Sequence, residues 1–223
     1  EYGCPVFDSY EKMLSSGVDA DIIAVATQDC DHPEHTVACM EKGYDVLLEK
    51  PIANTLEGCA KIESTAKKYG RKAIVCHVLR FTPFYSAVKD VIDAGELGDI
   101  VTVSTSENVG YYHQAHSFVR GPWRNSGSSS PMIIAKCCPD MDLLRWLIGK
   151  KCEKAASFGN LTYFRKENAP AGCAKYCSQC PLTDCIYKAQ KIYREYPWMA
   201  KYFCNDEDDA AVQKALQGSQ YDR

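Results

Sequence analysis

The chain has 223 residues, 26 basic against 29 acidic, and a formal net charge of -3, which gives it no electrostatic footprint for nucleic acid or an anionic membrane surface. Hydrophobic content of 46% and charged content of 25% are those of a globular domain and exclude disorder and fibrous repeats; no apolar run approaches the roughly 18 residues of a membrane span. Thirteen cysteines cannot all pair, and with no signal-like opening this points to a reducing, cytoplasmic setting.

The first half alternates strand and helix. Asp21 to Thr27 (DIIAVAT) is a short apolar run of the kind found in strands covered on both faces of a parallel sheet. Asp31 and His32 with Pro33 start a helix that Gly43 ends, and Asp45 to Leu48 (DVLL) is a second strand. Asn54 with Glu57 makes a capping-box pattern; Cys59, Ile62, Ala66 and Tyr69 share one helical face, closed by Gly70. Ala73 to Val78 is a third strand. Strands separated by helices of this length predict right-handed crossovers in a doubly wound sheet, whose ligands sit beyond the carboxyl ends of the strands. Thr27 to His32, Glu49 to Pro51 and His77 to Arg80 then share that edge.

After Arg80 the pattern changes. Thr82-Pro83 opens a helix ending near Gly95, and Asp99 to Val109 alternates like a long strand. A loop from Gly110 to Ser130 carries His113, His116, Trp123 and Arg124; its length predicts function or mobility. Met132 to Ile148 is helical in pattern, Ala155 to Phe164 could form a strand, and Asn205 to Gly218 predicts a last helix. The domain boundary is placed near residue 78: residues 1–78 form a partial dinucleotide-binding unit and 79–223 an α+β unit with a cysteine-rich insertion at 173–185.

Cys173, Cys177, Cys180 and Cys185 are spaced C-x3-C-x2-C-x4-C, a pattern able to converge on zinc or an iron–sulfur cluster; free thiols or an oxidised pair are the alternatives. His32 and His35 could share a metal, but a cap residue beside a surface histidine is the plainer reading. Asp206 to Asp209 complements a helix N-terminus.

GYDVLLEKPIANT, preceded by IIAVATQDCDHPEHTVACMEKG and followed by FTPFYSAVKDVIDAGELGDIVTV and WR, resembles the Gfo/Idh/MocA family of NAD(P)-dependent oxidoreductases. The resemblance runs in order to about residue 150. It implies a Rossmann-type doubly wound parallel sheet followed by an α+β domain with an open mixed sheet often used for homo-oligomer contacts. It also implies NAD or NADP as cofactor and a small polyol, sugar or cyclitol as substrate, with hydride passing between substrate carbon and nicotinamide. Lys50 then serves as acid or base on the reacting hydroxyl, a role a partly desolvated lysine suits. By the same likeness Thr27, His32, Glu49, Pro51, Trp123 and Arg124 contact the cofactor. Arg80 stands near substrate, and His113, His116 and Lys136 are further substrate candidates.

The sequence departs from the family pattern in two places. No G-x-G-x-x-G phosphate loop precedes Tyr10, so the chain is expected to be an internal piece of a longer protein. The family's acid and histidine on the helix after the long loop fall here on Ala135 and Pro139, neither of which moves a proton; Pro139 also removes the amide that would bond to the Ala135 carbonyl and predicts a kink. A non-catalytic ligand-binding or assembly module and a metal-stapled interaction scaffold are the rival readings.

Overall fold

The structure, a computed structural model, describes residues 3–206 and 208–222. It divides into two units discontinuous in sequence. The first runs to Ser106 and takes in Ser129–Lys151, and the second comprises Glu107–Ser128 with the chain from Cys152 onward.

In the first unit, helix α1 (Tyr10–Ser15) precedes a sheet of β1 (Ile22–Val25), β2 (Asp45–Leu48) and β3 (Ala73–Val75), parallel and in sequence order. The crossovers are α2 (His32–Glu41) and α3 (Leu56–Tyr69). The hydroxyl of Thr55 accepts from the Gly58 amide at 3.1 Å, so Thr55, not Asn54, caps α3; Gly70 closes it at φ 61°, as its position predicts. A Cβ on Gly58 would stand 2.9 Å from the Pro33 ring, which is why α3 can lie so close to the start of α2.

The pleat sends Val25, Val46 and Leu48 to one face, where they pack on Cys39 and Met40 of α2, Ile62 of α3 and Leu14 of α1. The opposite face carries the register row Ala24, Leu47, Ile74. It has no helical cover among the described residues: Ile22 and Ile74 are each 57% exposed. The expectation of strands covered on both faces is therefore corrected, since both crossovers lie on one side.

A 3-10 turn (Val78–Phe81) leads into α4 (Pro83–Asp93). The strand expected over 99–109 does not form; Val101 is 89% exposed. Alternation alone cannot make a strand without a neighbouring backbone to bond, and among the described residues this segment has none. The chain passes through the second unit, where α5 (Tyr111–His113) continues into a π-helical stretch (Gln114–Arg120), and returns to the first with α6 (Met132–Ile148). This helix runs through Pro139 and ends on Gly149 at φ 70°.

The second unit is built on α7 (Ala189–Glu195) and α8 (Asp209–Leu216), with Ile192, Tyr193, Met199, Val212, Leu216 and Tyr221 in its core. Asp208 caps α8, its carboxylate accepting from the Ala211 amide at 3.1 Å. The strand suggested for 155–164 is irregular and mostly exposed. Among the described residues no strand follows Val75.

Candidate active site at the carboxyl edge of the sheet

Lys50 lies two residues beyond Leu48, the last residue of β2, and is joined to Pro51 by a cis peptide. Its side chain turns inward: the ammonium donates to the carbonyl oxygen of Ala135 on α6 at 3.1 Å. A helical carbonyl is normally taken by the amide four residues on. Here that residue is Pro139, which has no N–H, so the Ala135 oxygen lacks its helical donor and the lysine takes the place. Desolvation of a backbone acceptor without a partner costs about 1–3 kcal/mol, which favours this contact over a solvated amine.

The face of α6 that carries Ala135 also carries Cys138 and Asp142. Burial pushes the Cys138 thiol up, with the nearby Lys50 ammonium pulling the other way. Asp142 is gripped by Arg80, which donates Nε–H to Oδ2 at 2.6 Å and Nη2–H to Oδ1 at 2.5 Å. This pairing raises the already high pKa of the guanidinium. His77, just beyond β3, brings Nε2 to 3.6 Å from the same carboxylate. Its Nδ1 is buried with no hydrogen-bond partner among the described residues, as is Oδ2 of Asp140. Arg80 also lies over the Trp146 ring, 5.8 Å from its centroid.

His32 clamps the two strand ends. It is buried, with Nδ1 2.7 Å from the Pro51 carbonyl oxygen and Nε2 3.2 Å from that of Thr27. With both nitrogens on backbone oxygens, this side chain ties the ends of β1 and β2 together and positions the edge. The Thr27 hydroxyl lies 2.9 Å from Nδ1 of His35, and a Glu49 oxygen accepts from the Lys50 amide at 3.2 Å.

The remaining candidates lie in the second unit, apart from Lys136 on α6. His116 is only 2% exposed, stacked on Tyr221 with ring centroids 5.2 Å apart, and 3.0 Å from the Tyr193 hydroxyl. Burial first, then the charges of His113 and Arg120, lower its pKa to about 4. It is a neutral core residue, and the substrate role expected from sequence is withdrawn. His113 is half-buried at the end of α5. Arg124 donates to the Gln220 side chain at 2.6 Å, and Trp123 lies 6.3 Å from the Phe118 ring.

The four cysteines do not gather as a metal centre. Among the described residues no three His, Cys, Asp or Glu side chains are placed to hold an ion, so the zinc or iron–sulfur expectation is overturned. The sulfurs have other neighbours: Cys177 lies 3.8 Å from the Arg120 guanidinium, Cys180 receives backbone amides, and Cys173 is exposed.

Residues 1–77 match the domain described as oxidoreductase family, NAD-binding Rossmann fold, and residues 89–196 match its C-terminal alpha/beta domain. The chain belongs to the Gfo/Idh/MocA oxidoreductase family. YteT of Bacillus subtilis, a candidate oxidoreductase by name, is 26% identical over 216 residues, 94% of this chain and 49% of that protein. Inositol 2-dehydrogenase 1 of Saccharopolyspora erythraea is 37% identical over 145 residues, 65% of this chain and 39% of its own. Among solved structures, myo-inositol 2-dehydrogenase from Lactobacillus plantarum is 20% identical with a TM-score of 0.54, covering 64% of this chain and 41% of that one. The WlbA dehydrogenase from Bordetella pertussis, in complex with NADH and UDP-GlcNAcA, is 24% identical, also at 0.54, covering 66% of this chain and 42% of its own. Both share the fold. The chain spans half or less of the length of these relatives.

The residues at the Gfo/Idh/MocA edge fit the nicotinamide end of a dinucleotide. Lys50 is held inward, and the unused nitrogen of His77 offers a polar partner at the next strand end. The pyrophosphate end is not represented, since the 223 residues contain no G-x-G-x-x-G segment.

Proposed function

We propose that the full-length protein is an NAD(P)-dependent oxidoreductase acting on a hydroxyl-bearing carbon of a polyol, sugar or cyclitol. The observation that carries this reading is the inward ammonium of Lys50 at the carboxyl edge of a parallel sheet, held by the α6 backbone in a chain of this family. Inositol 2-dehydrogenases among the relatives support the substrate class.

When bound, the dinucleotide supplies the hydride acceptor or donor. Lys50 binds the reacting hydroxyl oxygen and moves its proton. Arg80 and Asp142 fix one another, which holds the start of α4 against α6 and keeps the lysine's backbone acceptor in place. Ala135 and Pro139 contribute no proton transfer, so Lys50 carries that step without the family's acid and histidine. Trp123 and Arg124 are assigned to cofactor contact by resemblance, which also supports a homo-oligomer; Lys136, one turn before Pro139, and His113 in the long loop are assigned to substrate by position, and the cysteine content supports a reducing cytoplasm.

The test is a fluorescence titration of the full-length gene product with NADH and NADPH, followed by a polyol screen read by reduced-cofactor absorbance. Turnover lost in Lys50→Ala with binding retained supports the reading. Absence of dinucleotide binding overturns it, and binding without turnover across a broad panel assigns the protein as a non-catalytic member.

A further inference from the structure

The second unit contains an open cavity of about 530 Å³ walled by Tyr163, Phe164 and Tyr187 on one side and by Cys173, Cys177 and Cys180 on another. The proposed dehydrogenase chemistry at the sheet edge leaves this cavity without a role. Cys177 opens a 3-10 turn (Cys177–Gln179), and the Cys180 amide donates back to the Cys177 carbonyl at 3.2 Å. A turn closed by that bond keeps its first and fourth Cα atoms within about 7 Å, which overlaps the range that disulfides span. Both thiols are free.

The turn is firmly anchored. Ser178, the first of the two residues between the cysteines, gives both its amide (2.8 Å) and its hydroxyl (2.5 Å) to the fully buried carboxylate of Asp222. That carboxylate also accepts from the Gly218 amide at 2.9 Å and from Gln190 at 3.2 Å. The spacing of the two cysteines is therefore set before any reaction.

The surroundings of Cys180 differ from those of the thiols held in the first unit. Burial raises Cys30, Cys39, Cys59, Cys76 and Cys138. Cys180 is lowered instead, first by the Ala174 amide, then by that of Leu182, with the Lys188 ammonium adding to them. Lys188 is fixed beside it by bonds to the carbonyls of Leu182 (2.8 Å) and Cys180 (3.3 Å). A partly exposed sulfur facing backbone amides and a cation is the setting of a nucleophilic cysteine. Cys177 has the Arg120 guanidinium 3.8 Å away.

We propose that Cys177 and Cys180 form a reactive dithiol that exchanges with low-molecular-weight disulfides admitted by this cavity, Cys180 attacking and Cys177 resolving. The Cys180 thiolate attacks one sulfur of the small disulfide, forming a mixed disulfide and expelling one thiolate. Cys177, as thiolate, then attacks the Cys180 sulfur and expels the second. Two protein thiols are oxidised to one disulfide, one external disulfide is reduced to two thiols, and the two cysteine protons pass to the released thiolates.

The experiment exposes the intact chain to glutathione disulfide, quenches with iodoacetamide and maps the peptides by mass spectrometry, after elemental analysis of the protein as purified. A Cys177–Cys180 crosslink is expected, with glutathione trapped on residue 180 in Cys177→Ser and no crosslink in Cys180→Ser. In the unmodified chain Cys180 should alkylate at least several-fold faster than the exposed Cys152 and Cys173, a readout that needs no variant to fold. Alkylation no faster than at those two, absence of the crosslink, glutathione trapped elsewhere in Cys177→Ser, or stoichiometric zinc in the purified protein overturns the proposal.

Discussion

The ammonium of Lys50 bonds at 3.1 Å to the carbonyl oxygen of Ala135, an oxygen that Pro139 leaves without its helical amide. Residues 85 positions apart are thus joined because one backbone donor is missing from α6. Replacing the proline with alanine returns that donor. Pro139→Ala is expected to stabilise the chain by about 1–3 kcal/mol and to release the amine. Competitive labelling with acetic anhydride reads the release: Lys50 should acetylate several-fold faster in the variant. Unchanged labelling would show that the proline does not control the lysine.

The Arg80–Asp142 pair is bidentate and Asp142 is largely buried. Asp142→Ala should destabilise the chain by about 2–4 kcal/mol, because it leaves the Arg80 guanidinium without its partner. A double-mutant cycle with Arg80→Ala in urea measures the coupling. A coupling energy indistinguishable from zero would mean that the contact is ornamental.

His116 makes stability depend on pH. Its folded pKa, about 4, lies below the ordinary value of 6.5, so the unfolded chain binds its proton first as pH falls. The stability contribution is present in full above pH 6.5 and is lost progressively as pH falls toward 4, by about 3 kcal/mol in all. His116→Phe should flatten that part of the profile in denaturant melts between pH 4 and 7. An unchanged slope would show that the imidazole titrates outside the core.

The two faces of the sheet should respond differently to substitution. Leu48→Ala empties a buried position between α2 and α3 and is expected to cost about 3 kcal/mol. Ile74→Thr, on the uncovered face, should cost no more than about 0.5 kcal/mol and reduce binding of a hydrophobic dye. Equal losses in urea denaturation would mean that the face is covered in solution.

The strands, both crossover helices and the glycine stop of α3 are legible locally, because apolar periodicity and a left-handed terminus are properties of short segments. Lys50 stands out through the resemblance carried by its neighbours. The Ala135 contact is half legible: the missing amide can be read from Pro139, but not which donor arrives from a distant strand end. His116 sits in a polar-looking YYHQAH stretch, and aromatic partners far along the chain, Tyr221 stacked on it and the Tyr193 hydroxyl 77 residues away, make it a core residue. Alternation across 99–109 is equally visible, yet a strand is a relation between two backbones. The cysteine spacing suits a metal, but spacing does not say where each sulfur points, and the Arg120 guanidinium and the Ala174 amide decide that.

The interleaving of the two units has a consequence for biogenesis. The polypeptide crosses between them three times, at residues 106, 128 and 151. During translation the sheet and its crossovers emerge long before α6, so Lys50 waits without its carbonyl until Ala135 clears the ribosome. Neither unit can be excised with a single cut, and a nick between residues 107 and 128 would sever the covalent tether that carries α6 back to the nascent sheet.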